Sequence, residues 1–107
     1  MKKLFLIIAL LFAANILFAS NTLFEQANSF YTQEKYEDAI LYYDSIQQNS
    51  LQSTELFYNI GNAYYKLQDW PHCILYYEKA LKLDANNEDV LHNLELAQLK
   101  IVDKIES

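Results

Sequence analysis

The sequence predicts an all-α solenoid of stacked helix-turn-helix units, two full repeats followed by one C-terminal capping helix. Two observations predict it. The chain repeats itself with a period of 34: Leu23, Ala27, Phe30, Tyr36, Ala39, Ile40 and Tyr43 stand that far ahead of Phe57, Gly61, Tyr64, Trp70, Cys73, Ile74 and Tyr77. Small residues fall on small ones and aromatics mostly on aromatics. A fixed period of this length means stacked supersecondary units rather than one closed globule. Within the copies, apolar residues recur at spacings of three and four, the stripe of an amphipathic helix. Stacked units of this kind bind other chains far more often than they do chemistry.

Residues 1–20 read as a secretory signal peptide. Lys2 and Lys3 form a basic start, Leu4 to Ala14 is an unbroken apolar run, Asn15 interrupts it, and Ile16 to Ala19 resume it. Small residues Ala19 and Ser20 follow, so cleavage there leaves a chain starting near Asn21. An uncleaved membrane anchor is the rival reading, and the run is short for a span of about 20 residues. There is no Cys near the junction, which argues against a lipid anchor.

Residues 21–53 form the first repeat. Gln26-Ala27 stand where the second copy has Ile60-Gly61, and Ile46 where it has Ala80. Residues 54–87 form the second and clearer repeat. Phe57, Ile60, Gly61, Tyr64 and Leu67 make one helical stripe over Thr54–Leu67. Gly61 costs about 1 kcal/mol inside a helix relative to Ala, which is tolerated when a neighbouring helix must come close. Pro71 sits where a first turn would start, with Asp69 as the cap before it. The second helix runs from about Pro71 to Leu83 and turns Ile74, Tyr77, Ala80 and Leu81 back on the first. Asn86 and Asn87 supply the next turn and cap. Residues 88–107 give a helix from Glu88 to about Lys104, striped by Val90, Leu91, Leu94, Ala97, Gln98 and Ile101. It is a capping helix or the first half of a third repeat, with Glu95 where the small residue would be.

The run Phe57-x-x-Ile60-Gly61-x-x-Tyr64, then Trp70, Cys73, Tyr77 and Ala80, resembles the tetratricopeptide repeat (TPR). Phe stands for the usual Trp, Ile for Leu, Cys for Ala and Tyr for Phe. Ala85 stands where a Pro is usual, which softens the stop between helices. In the first copy, Glu37, Asp38, Ala39 and Ile40 match the usual start of the second helix.

The residues carry no catalytic constellation. His72 and His92 are twenty apart on different helices, without a ligand partner at metal spacing. Gly61 is the only glycine, so no phosphate-cradling loop exists. The acid pairs Glu37–Asp38 and Glu88–Asp89 fall in first helical turns, where the macrodipole favours them. Cys73 is the only cysteine and takes the place of the buried Ala of the motif. We therefore expect no enzyme, no cofactor and no metal. The chain has no Arg; without Lys2 and Lys3 it carries 6 Lys against 14 Asp plus Glu, a net charge of −8. That balance repels phosphate backbones and argues against nucleic acid.

In TPR arrays the first helix of each pair lines a concave groove. Here that face collects Phe24, Asn28 and Tyr31, then Tyr58, Asn59, Asn62, Tyr65 and Lys66, then His92, Asn93, Leu96 and Lys100. Asn can bond an extended peptide backbone as donor and acceptor together, and Tyr offers flat apolar area with a polar tip. The same tyrosines also suit packing between helices. The family's chaperone-binding subclass grips a C-terminal carboxylate with Lys and Asn. Asn28 and Asn59 match its asparagines, but Phe24 stands where a Lys is needed and Asp89 replaces another base. The overall charge points to a neutral or basic extended segment as the ligand.

The strings Asn93-Leu94-Glu95-Leu96-Ala97 and Val102-Asp103-Lys104-Ile105-Glu106 are similar to the BatE family, exported TPR proteins of bacterial aerotolerance (Bat) operons. That resemblance implies a scaffold of the periplasm or envelope, working with von Willebrand A-type Bat proteins and a MoxR-type ATPase system. Family members continue with membrane segments and an SH3-like domain, so we expect either a truncated product or a piece of a longer, membrane-tethered chain. A structural role is the alternative: a spacer or homo-oligomer joined through the last helix, whose face Leu91, Leu94, Leu99, Ile101 and Ile105 lacks a following helix.

Overall fold

The computed structural model describes residues 2–48 and 52–106. Among these it holds five helices and no strand: α1 (Lys2–Thr32), α2 (Tyr36–Gln48), α3 (Thr54–Lys66), α4 (Trp70–Leu83) and α5 (Glu88–Glu106). Each packs on the next in chain order, so α1–α2 and α3–α4 are the two hairpins and α5 covers the end. The all-α solenoid predicted by the 34-residue period is the fold observed.

Helix starts follow the chemistry of their caps. The Ser53 hydroxyl accepts from the Leu56 amide at 3.0 Å and opens α3. The Asp69 carboxylate accepts from the His72 amide at 3.3 Å, and Pro71 sits in the first turn, so α4 begins one residue earlier than expected. The Asn87 side chain accepts from the Val90 amide at 3.1 Å and opens α5. The hairpin turns repeat as well. Glu34 (φ 64°) and Gln68 (φ 59°) are both left-handed. In each, the next amide reaches back five residues: Lys35 N–H to the Phe30 carbonyl at 2.8 Å, and Asp69 N–H to the Tyr64 carbonyl at 3.0 Å. This is the Schellman closure, made here without the usual glycine.

The core divides into two clusters that share one plan. Ala27, Ala39, Tyr43 and Ile46 of the first hairpin pack with Leu56 and Ile60 from α3. Phe57, Trp70, Cys73, Tyr77 and Ala80 of the second pack with Val90 and Ala97 from α5. Leu56 and Val90 are 34 apart, as are Ala63 and Ala97, and all four are buried. Helix α5 thus closes the second hairpin as α3 closes the first. Glu95, at the place of Gly61, is exposed; no later helix of the described residues packs there.

At Gly61 the second hairpin leaves no room for a side chain. A Cβ added to it would lie 2.5 Å from Cδ1 and Cε1 of the Tyr77 ring. At the start of the chain, α1 runs as one helix from Lys2 to Thr32. Its side chains from Leu4 to Phe12 are exposed, and no helix among the described residues is long and apolar enough to cross a membrane. On α5, Leu94 and Ile101 are not part of an open face: they pack against the second core cluster. The exposed apolar residues there are Leu91, Leu96, Leu99, Val102 and Ile105.

Candidate functional site

The candidate site is a groove over α1, α3 and α5, and its floor is set by two buried tyrosines. Tyr43 and Tyr77 come from the second helix of each hairpin and are 1 % and 0 % exposed. A hydroxyl that deep must find a partner. Tyr77 donates to the Asn62 side-chain oxygen at 2.6 Å, and Tyr43 donates to the same oxygen of Asn28. Each tyrosine is also within reach of an asparagine from the next repeat, Asn59 for Tyr43 and Asn93 for Tyr77. Asn28 and Asn62 are 34 apart, and so are Asn59 and Asn93. One Asn–Tyr–Asn junction therefore recurs at each step of the array, tying three helices together.

Around these junctions lie two open cavities. One, of about 300 Å³, is lined by Asn28, Tyr31, Thr32, Tyr43, Asn59 and Asn62. The other, of about 250 Å³, is lined by Tyr31, Asn62, Tyr65, Lys66, Tyr77, Asn93 and Leu96. Tyr31 lines both, so they form one continuous trough across the three helices. Tyr58 joins it through its hydroxyl, which accepts from the Asn93 amide at 3.0 Å; the same amide reaches the Asn62 oxygen at 3.3 Å. Phe24 packs edge-to-face on Tyr43 at 5.7 Å, and Tyr65 likewise on Trp70 at 5.0 Å.

The structure thus brings together most of the side chains singled out in the sequence, but it changes the work of several. The oxygens of Asn28 and Asn62 already accept from tyrosines. The Asn62 oxygen takes two bonds, from Tyr77 and from the Asn93 amide, so Asn62 offers the groove its own amide, whereas the Asn28 oxygen takes one and keeps a lone pair. Tyr58 and Tyr65 are half-buried packing groups as well as groove walls. His92 is exposed and lines neither cavity. Sequence reasoning missed Tyr43, Tyr77 and Thr32 as lining groups. The exact 34-residue recurrence of Asn28/Tyr43 and Asn62/Tyr77 was the signal that pairs them.

Away from the groove, His72 is exposed, bonded to the Asp69 carboxylate at 2.8 Å and stacked on Tyr64 at 4.9 Å. It works at the cap of α4. No group of three or more His, Cys, Asp or Glu among the described residues is placed to hold a metal ion.

Burial makes this core sensitive to alkali. It pushes the Cys73 thiol up from its ordinary 9.0 to about 11 and the Tyr43 hydroxyl from 10.0 to about 12, with nearby Tyr31 and Glu55 adding to the latter. Tyr77 is raised further by burial and by Cys73. The unfolded chain releases these protons at lower pH than the folded one. Above about pH 9 it therefore binds fewer protons, and stability falls as pH rises. We expect denaturation midpoints that decline between about pH 9 and 12. In the variant Cys73→Ala/Tyr43→Phe that decline is shallower, read by urea titration at each pH.

Comparison with known proteins follows the same line. Residues 54–87 match the tetratricopeptide repeat family. Among solved structures, the TPR2AB-domain:pHSP90 complex of yeast Sti1 is similar, with 30 % identity and a TM-score of 0.68. The match covers 81 % of this chain and 36 % of that one, so the chain spans about a third of its length. No curated protein sequence matches the chain. Residues 54–87 thus resemble a TPR unit, and the whole is an all-α solenoid like that TPR domain.

Proposed function

We propose that the chain is a protein-interaction scaffold that holds an extended segment of a partner protein in the groove over α1, α3 and α5. The observation that carries this is the trough itself: aromatic walls, with the amides of Asn28 and Asn62 anchored by buried tyrosines. Preset donors lose little freedom when they bind, which favours a backbone ligand. The similar yeast domain is one seen in complex with pHSP90. Repeats of this type work as interaction modules as a rule, and the scaffold needs no catalytic group. We further propose export to the periplasm or envelope, on the basic start and apolar run of residues 1–20. The strings of α5 support a BatE-like role beside von Willebrand A-type Bat proteins.

The test is a pull-down from solubilised envelope with the full chain as bait, against Tyr31→Ala/Asn59→Ala. Those positions line the trough, while Asn62 is spared because it holds Tyr77. The expected result is capture of a von Willebrand A-type protein by the wild type and its loss in the variant, at a temperature where circular dichroism shows both baits folded. Bait recovered from the envelope should have the mass of a chain starting near Asn21. Equal capture by both baits would remove the groove from the mechanism.

A second reading rests on the exposed apolar residues of α5. Leu99 and Ile105 are 54 % and 78 % exposed. If the array is a self-associating spacer, Leu99→Asp/Ile105→Asp converts an oligomer to a monomer in sedimentation, while the groove variant does not.

A further inference from the structure

The chain as a whole is acidic, with 8 Lys against 14 Asp plus Glu, yet its cations are not spread evenly. A third cavity, of about 610 Å³, opens at the end of the groove and is lined by Tyr65, Lys66, Gln68, Trp70, Lys100 and Lys104. Three of the eight lysines line it and no acid does. Complementing the helix dipoles accounts for part of this, because Lys66 and Lys104 lie in the last turns of α3 and α5. It does not account for Lys100, which precedes the last turn of α5. Nor does it require an aromatic wall, which Trp70 and Tyr65 form edge-to-face at 5.0 Å. The first turns of the same helices carry Glu55 and Asp89. The wall of this cavity is basic, although Asp103 and Glu106 share the last turn of α5 without lining it.

We propose that this cavity receives side-chain carboxylates of an acidic segment, with Tyr65 and Trp70 packing against the apolar residues between them. The inference rests on the groove reading above and names the chemistry of the segment at that end. Net charge pointed to a neutral or basic ligand; at this end the local charge decides instead. Lys104 already interacts within the chain, so Lys66 and Lys100 are the pair on which the site depends. The volume lies in the range of clefts that take a small-molecule-sized ligand, roughly 300–1,000 Å³, which is room for one or two side chains of a passing segment. More than one ammonium group faces it, which matches several carboxylates better than a single chain terminus.

Trp70 is the only tryptophan, so its emission reads this cavity directly. The full chain is titrated with an amidated peptide of alternating Glu and Leu, and with its Gln counterpart. The expected result is a saturable change in emission with the Glu peptide alone. Affinity should fall about tenfold or more in Lys66→Gln/Lys100→Gln and, for the wild type, at about 0.5 M salt. Both lysines are exposed, so melting of the variant should match the wild type. Three results would overturn the proposal: no titration, equal titration by the Gln peptide, or indifference to the double substitution. Binding of the Gln peptide only when it ends in a free carboxylate would also overturn it, assigning the cavity to a chain terminus. If partner capture depends on Tyr31 and Asn59 while the Glu peptide is ignored, the groove reading stands and this one falls. If the peptide titrates and capture ignores the groove, the reverse holds.

Discussion

Tyr77→Ala should leave little folded protein at room temperature, whereas Tyr77→Phe should fold and lose about 1 kcal/mol. Tyr77 is fully buried, and its ring fills the space above Gly61 and against Tyr58, whose ring centre is 6.0 Å away. Truncating a buried aromatic to Ala costs about 3–5 kcal/mol, the lost transfer energy plus the cavity left behind. Small domains have only about 5–15 kcal/mol in total, and an array of two hairpins and a cap belongs at the low end of that range. The Phe variant keeps the ring and loses only the hydroxyl that donates to Asn62. Net, such a bond contributes about 1 kcal/mol, and the Asn62 oxygen still has the Asn93 amide at 3.3 Å. The Phe variant should nonetheless weaken partner capture, because an asparagine of the trough loses its anchor. Urea denaturation of the two variants beside Tyr43→Phe reads the stability difference. If Tyr77→Ala loses less than about 3 kcal/mol, the lower bound for such a truncation, the second cluster is not packed as described.

The period of 34 made this core legible before any coordinates. Alignment of the two copies placed Ala39 on Cys73 and Tyr43 on Tyr77, and each of the four is buried. It also located the groove, because positions on the first helix of each copy share one face. Other features were out of reach for a physical reason: repetition says which residues are equivalent, not what they touch. Asn28 and Asn62 were visible as groove residues, but their tie to tyrosines fifteen residues later appears only once the second helix folds back. The lysine cavity was hidden because total charge averages over the surface, while Lys66 and Lys100 come together only through the stacking of α3 and α5. The left-handed turn residues Glu34 and Gln68 were missed because no glycine or asparagine marks them.

Gly61 is the one place where the two copies differ in a way that predicts a second large effect. Gly61→Ala should destabilise the chain by up to about 2 kcal/mol, although Ala is the better helix former by about 1 kcal/mol. The sign is set by space. A methyl there meets two ring carbons of Tyr77 at 2.5 Å, and that ring is buried, so something must move. Overpacking of this kind costs about 1–3 kcal/mol before the helix gain is counted. Gly61→Val, with a second methyl and a branched Cβ, should cost more still. The first repeat supplies the control. Ala27 stands 34 residues before Gly61 and is fully buried, with Tyr43 in the place of Tyr77. The register itself therefore accepts a methyl, and what the second hairpin lacks is room. Shrinking the facing ring should restore it: Tyr77→Leu added to Gly61→Ala should cost less than the two changes summed, with a coupling of about 0.5–3 kcal/mol. Strict additivity in that double-mutant cycle would mean that the glycine is kept for a reason other than the ring above it.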